Sequence, residues 1–193
     1  FAPEWQAADG RLRRVEFFLQ LFGHKDPLIS ELAYLEMDRA PYDVIKRLSG
    51  FVAREQIQRI LNRPQYIEWR SLAILMLAHG GTARDRQYIV DSFRSAERFR
   101  LSTNLAAWAA ASVEIEGAQA TSFIEDRYFG MPNRSDDELK EVLKALSLHG
   151  SEGRVKLRDR IVAAYGKLLA VHPEMLGYVA ADLLSWNRTE WTD

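Results

Sequence analysis

Three times in this chain an apolar stretch with helical spacing runs into a glycine, and a second amphipathic stretch starts within a few residues. The segments are LAILMLAHGG, LAAWAAASVEIEG and LKEVLKALSLHG, and their glycines Gly80, Gly117 and Gly150 stand 37 and 33 residues apart. Glycine is a common helix stop because, without a Cβ, it enters the left-handed region at little cost. Two helices per period of this length point to a stacked helical repeat, in which each pair buries its apolar face against its neighbours. The expected fold class is therefore all-α, a HEAT-like α-solenoid of stacked antiparallel helix pairs. An irregular helical bundle with fortuitous glycine spacing is the alternative.

Start and stop signals divide the rest of the chain in the same way. The clearest helix follows Ser135, with Leu139, Val142, Leu143 and Leu146 at i, i+3, i+4 and i+7. Ser135 and Glu138 form a capping-box pattern, and Asp136 and Asp137 add negative charge at the positive end of the helix dipole. Asp26 caps another helix, with Pro27 at a first position where the missing amide costs nothing. Further helices are expected over about 10–22, 41–48, 53–62, 66–79, 82–95, 103–116, 118–129, 154–170 and 174–185. About eleven helices result, in a single helical-repeat domain over 1–193. Within it, 1–65 form the N-terminal helices, 66–185 the repeat helices and 186–193 a tail. At 193 residues one domain is the natural reading.

Composition narrows the function classes. The chain is 47 % hydrophobic and 27 % charged, enough apolar surface for a folded core. Its 26 basic and 27 acidic residues give a net charge of −1, without the basic surplus of a general nucleic-acid binder. With no cysteine there are no disulfides, thiolate metal sites or cysteine nucleophiles. The longest apolar run, Leu105–Val113 broken only by Ser112, is far below the ~20 residues that cross a bilayer. The chain opens Phe1-Ala2-Pro3-Glu4-Trp5, with no initiator Met, basic segment or apolar signal core. A removed targeting peptide and a trimmed chain both fit that opening.

No residue pattern resembles a catalytic centre. His24, His79, His149 and His172 include no pair at helical ligand spacing, and His79 and His149 sit at helix C-termini, where the dipole favours a partly protonated imidazole. Acidic pairs such as Glu114 with Glu116 point to different sides of a helix. No catalytic, cofactor-binding or metal-binding residue is therefore assigned. Two stretches are locally basic: Thr82–Arg100 carries net +2 and Ser151–His172 net +3. Arg84, and the i, i+4 pair Arg154 and Arg158, are the expected contacts for an acidic or mixed partner segment on a concave face. Of five tryptophans, Trp69 and Trp108 lie in strongly apolar stretches and are expected in the core. Trp5, Trp186 and Trp191 lie among polar residues near the ends. They serve either as caps or as partner anchors, and Trp186 and Trp191 join the arginines as candidate contacts.

Residues 17–48, FFLQLFGHKDPLISELAYLEMDRAPYDVIKRL, carry a more specific pattern. Asp26-Pro27-Leu28-Ile29, then Tyr34 and Glu36, then Ala40-Pro41-Tyr42-Asp43, resemble a bacterial family of HEAT-like repeat proteins regarded as secreted. Asp182, Leu183 and Trp186 are similar to that family's closing Asp-Leu-Ala-Arg-Trp segment. Leu32 stands where the family has an acidic residue, and its members continue with helices beyond the tryptophan. The resemblance implies the solenoid fold and a periplasmic or secreted location, and it implies no activity or cofactor. The expected function is a non-catalytic protein-binding or scaffolding module, whose partner is a protein and possibly a larger complex. An enzyme site assembled across repeats and a HEAT-like nucleic-acid binder are the alternatives.

Overall fold

Asp26 and Ser135 each begin a helix as their chemistry requires. The computed structural model describes residues 8–188, with side chains from residue 12. Asp26 Oδ1 accepts the Leu28 N–H at 3.0 Å, with Pro27 in the first turn of its helix. Ser135 Oγ accepts the Glu138 N–H at 3.3 Å while Glu138 Oε2 accepts the Ser135 N–H at 3.1 Å, a complete capping box. Every regular element among the described residues is helical. They are α1 (Ala8–Leu21), α2 (Pro27–Asp38), α3 (Tyr42–Leu48), α4 (Arg54–Asn62), α5 (Arg70–Gly80), α6 (Ala83–Phe99), α7 (Leu105–Glu116), α8 (Ala118–Ile124), α9 (Asp136–Ser151), α10 (Arg158–Val171) and α11 (Leu176–Ser185). No helix among the described residues is long and apolar enough to cross a membrane.

The chain divides into two compact units, with the boundary after Thr82. In the N-terminal unit α1 packs on α2, and α5 packs on α3 and α4 around Met37, Ile57, Leu72, Ile74 and Met76, all at most 2 % exposed. In the C-terminal unit α7 packs on α6 and α9, α9 on α11, and α8 on α10. The alanines of α7 (Ala107, Ala109, Ala110 and Ala111) are buried and present little side-chain bulk to the neighbouring helices. Phe93 and Tyr128 stack at 5.9 Å in this core.

Three expected helices are broken where backbone chemistry intervenes. Pro64 opens a 3-10 segment to Trp69, with Tyr66 outside helical geometry, so α5 starts only at Arg70. After Ile124 the chain widens into a π-turn over Glu125–Phe129, closed by the Gly130 N–H on the Glu125 carbonyl at 2.9 Å. Arg154 is not helical, because its N–H donates to His149 Nδ1 at 3.3 Å, and a 3-10 turn separates it from α10. Arg154 and Arg158 thus do not share a helix face.

The glycines also differ from expectation. Only Gly117 of the three adopts a positive φ, +61°. Gly80 is the last residue of α5 and Gly150 the last but one of α9, so both helices end there without the left-handed turn, and both glycines also serve close packing. A Cβ on Gly80 would stand 2.7 Å from the Ser49 carbonyl oxygen, and one on Gly150 would overlap the Trp186 ring. Trp69 and Trp108, expected in the core, are each only partly buried.

Candidate functional site

The C-terminal unit carries a groove of about 760 Å³ between α9 and α11. Helical spacing puts Asp137, Lys140, Glu141, Lys144, Ser147 and Leu148 of α9 along it, with Tyr178 and Asp182 of α11 opposite. Lys140 lies over the Tyr178 ring, 5.0 Å from its centroid, and 3.6 Å from Asp136. Tyr178 above all, then Asp136 and Asp137, raise the Lys140 ammonium above the usual lysine value. Lys144 pairs with Glu141 one turn away. The groove therefore has a charged edge of both signs around an aromatic ring.

Its far wall is held by one carboxylate. Ser147 Oγ donates to Asp182 Oδ1 and Tyr165 Oη to Asp182 Oδ2, each at 2.7 Å. Tyr165 is 1 % exposed, and burial, then Asp182, push its phenol well above the ordinary tyrosine value. Both hydroxyls donate to the same carboxylate, so Asp182 ties α9, α10 and α11 together. Trp186 completes this fastening. Its indole N–H donates to Ser151 Oγ at 3.2 Å, and its ring stacks on Tyr165 at 6.0 Å.

The candidate contacts named from sequence fall in different places. Arg84 is exposed in the first turn of α6. Arg154 is exposed, with Nε 3.9 Å from Glu114 Oε1 and its guanidinium over Gly117. Arg158 donates from Nε to the Gly150 carbonyl at 2.9 Å and lies over the Trp186 ring, 5.5 Å from its centroid. Trp186 is 7 % exposed, its ring taken up by this packing. Trp191 and Trp5 lie outside the described residues. The structure thus joins Arg158 to Trp186 and leaves Arg84 and Arg154 apart from that pair.

Sequence reasoning missed the most polar buried cluster. Arg134 pairs with Glu97 and, at 2.7 Å, with Glu138, and its guanidinium lies 4.7 Å from the centroid of the Tyr128 ring. Arg100 reaches Glu138 at 2.9 Å and Arg127 reaches Glu97 at 3.3 Å. Burial by itself would raise the Glu138 carboxyl, but the Ser135 amide, Arg100 and Arg134 outweigh it and hold it at about 2. The signal was present in outline: Arg134 and Glu138 stand at i, i+4, and Glu97 precedes Arg134 by 37 residues.

Histidines behave likewise. His149, fully buried, bonds the Ala110 carbonyl through Nε2 at 2.8 Å while Nδ1 accepts the Arg154 N–H, which assigns the proton to Nε2. His79 bonds Tyr42 Oη at 3.1 Å. Among the described residues no three His, Asp or Glu side chains are placed to hold a metal ion. No protein-family model, curated protein or solved structure matches the chain.

Proposed function

We propose that this chain is a HEAT-like helical-repeat module that binds a protein partner without catalysing a reaction of its own, and that the partner lies in the α9–α11 groove. Two regularities support the stacked-repeat reading. In the C-terminal unit α7, α9 and α11 pack in succession, as do α8 and α10. Side-chain bonds also recur at one repeat period. His79 reaches Tyr42 across 37 residues, Arg134 reaches Glu97 across 37, His149 reaches Ala110 across 39, and Asp182 reaches Ser147 across 35. Stacked antiparallel pairs are the simplest arrangement with this spacing, which is also that of Gly80, Gly117 and Gly150.

The observation that carries the binding reading is the groove itself. It is open along its length, and Lys140, Lys144, Asp137 and Glu141 surround Tyr178, an aromatic ring 54 % exposed. An aromatic centre within a polar rim is the composition of a protein interface. A partner segment placing acidic groups opposite Lys140 and Lys144 fits it. Arg84 and Arg154 lie outside this lining and stay separate candidate contacts for a partner, while Arg158 and Trp186 hold the groove wall in place.

The test is to isolate the untagged protein gently from its native cells beside the Lys140→Glu/Lys144→Glu variant, and to identify co-isolating chains by mass spectrometry. A stoichiometric chain with the wild type that is lost from the variant is the expected result. Equal recovery with both would move the partner off this groove, and a wild type that isolates alone would overturn the reading.

A further inference from the structure

The N-terminal unit has a concave site of its own, a cavity of about 430 Å³ between the start of α2 and the Pro64–Trp69 segment. Its aromatic wall is built from a ring stack. Trp69 lies 5.0 Å from Tyr34 at an interplanar angle of 11°, and 5.2 Å from Tyr66 at 26°. The Tyr34 hydroxyl donates to the Glu68 carbonyl, which fixes the backbone carrying Trp69 and Glu68 against α2. Tyr66 and Trp69, both partly buried, face the cavity.

Three further polar groups belong to the lining. The carboxylates of Glu31 and Glu68 line the cavity from α2 and from the 3-10 segment, and neither forms an ion pair among the described residues. Ser30 of α2 also lines it. The remaining polar lining is Gln65, Lys25 and His24; His24 Nδ1 accepts the Asp26 N–H at 3.1 Å.

Aromatic faces and carboxylates share one preference, because the ring quadrupole and the carboxylate both attract positive charge. Among cations a guanidinium uses both together. Its plane stacks on a ring while its N–H groups fork to carboxylate oxygens in that plane, and an ammonium offers no such plane. We propose that this cavity binds a guanidinium group, stacked against Tyr66 and Trp69, paired with Glu31 and Glu68, and donating one N–H to the Ser30 hydroxyl. The site is separate from the α9–α11 groove and does not depend on it. The local field agrees: burial first, then Asp38 and Glu68, raise the Tyr34 phenol to about 12. A free guanidino compound and an arginine side chain of a polypeptide carry the same group.

The test is calorimetric titration of the intact chain with N-acetylarginine amide and with a short arginine-centred peptide, each against its neutral citrulline counterpart. Saturable binding of an arginine probe, with citrulline weaker by about tenfold or more, is expected. Glu31→Gln/Glu68→Gln should lose the same factor while melting like the wild type, since both side chains are exposed. Tyr66→Leu gives an independent loss from the ring side. A peptide tighter than the capped amino acid assigns the group to a polypeptide, and equal affinities assign it to a free small molecule. Citrulline binding as well as arginine, no saturable binding of either, or unchanged affinity in the Glu31/Glu68 double variant would overturn the proposal.

Discussion

Trp186 contacts two helices with one side chain and ends a third. It packs over Gly150 of α9, donates to Ser151, stacks on Tyr165 of α10, lies under Arg158, and stands directly behind α11. Truncating a buried aromatic leaves a cavity that the surroundings only partly close. Trp186→Ala is therefore expected to lower the unfolding free energy by about 3–5 kcal/mol in urea denaturation. Gly150→Val should also destabilise, because its side chain overlaps the ring. An effect under 1 kcal/mol for both would contradict this packing. Neither role was legible in the residues alone. Trp186 read equally as a cap or an anchor, and Gly150 read as a helix stop, since the partner that excludes a Cβ is 36 residues away. Glu138 adds a pH-dependent residue effect. Its carboxyl is held at about 2 when folded, against an ordinary 4.5, so its contribution is complete above pH 4.5 and is lost as pH falls toward 2. Between pH 5 and 2 the wild type should lose roughly 3 kcal/mol more stability than Glu138→Gln, measured by urea unfolding at each pH. Parallel curves would contradict the assignment.

At the scale of the element, helix starts with a side-chain cap were legible and helix interiors that yield to their neighbours were not. The Asp26–Pro27 and Ser135–Glu138 starts are local chemistry, satisfied within three residues, and both form as expected. Ser135→Ala should lower the unfolding free energy by about 1 kcal/mol or somewhat more, because the hydroxyl also contacts the Glu138 carboxylate at 3.2 Å. The break at Arg154 has a different origin, a hydrogen bond to a histidine ring buried against α7. Periodicity carries no trace of such a bond. Arg134 shows the same dependence on distant elements, since it separates the buried carboxylates of Glu97 and Glu138. Removing one partner leaves buried charge uncompensated, so Arg134→Met is expected to cost about 3–5 kcal/mol in thermal and urea unfolding. Arg134→Met combined with Glu97→Gln and Glu138→Gln should recover part of that loss. No recovery would show that the cluster acts through packing rather than charge.

For the whole molecule, the all-helical character was legible because apolar residues recur at helical spacing along nearly the entire chain. The groove was not. Lys140, Lys144 and Tyr178 are ordinary surface residues in sequence, and they become a site only because Asp182 and Trp186 hold α11 beside α9. Of the arginines singled out by local charge, Arg158 donates to a carbonyl and lies over an indole ring, and Arg154 lies near Glu114. Net charge along one helix does not say which guanidiniums the fold itself uses. The central proposal is that a protein partner occupies the α9–α11 groove. Lysine-reactive cross-linking of the protein in its native extract, followed by mass spectrometry of the linked peptides, tests that claim most directly. Links from Lys140 and Lys144 to a single partner chain, lost when that partner is stripped away and restored on its return, are expected. Links to a partner that use other lysines and pass over these two, or none to any other chain, would contradict it.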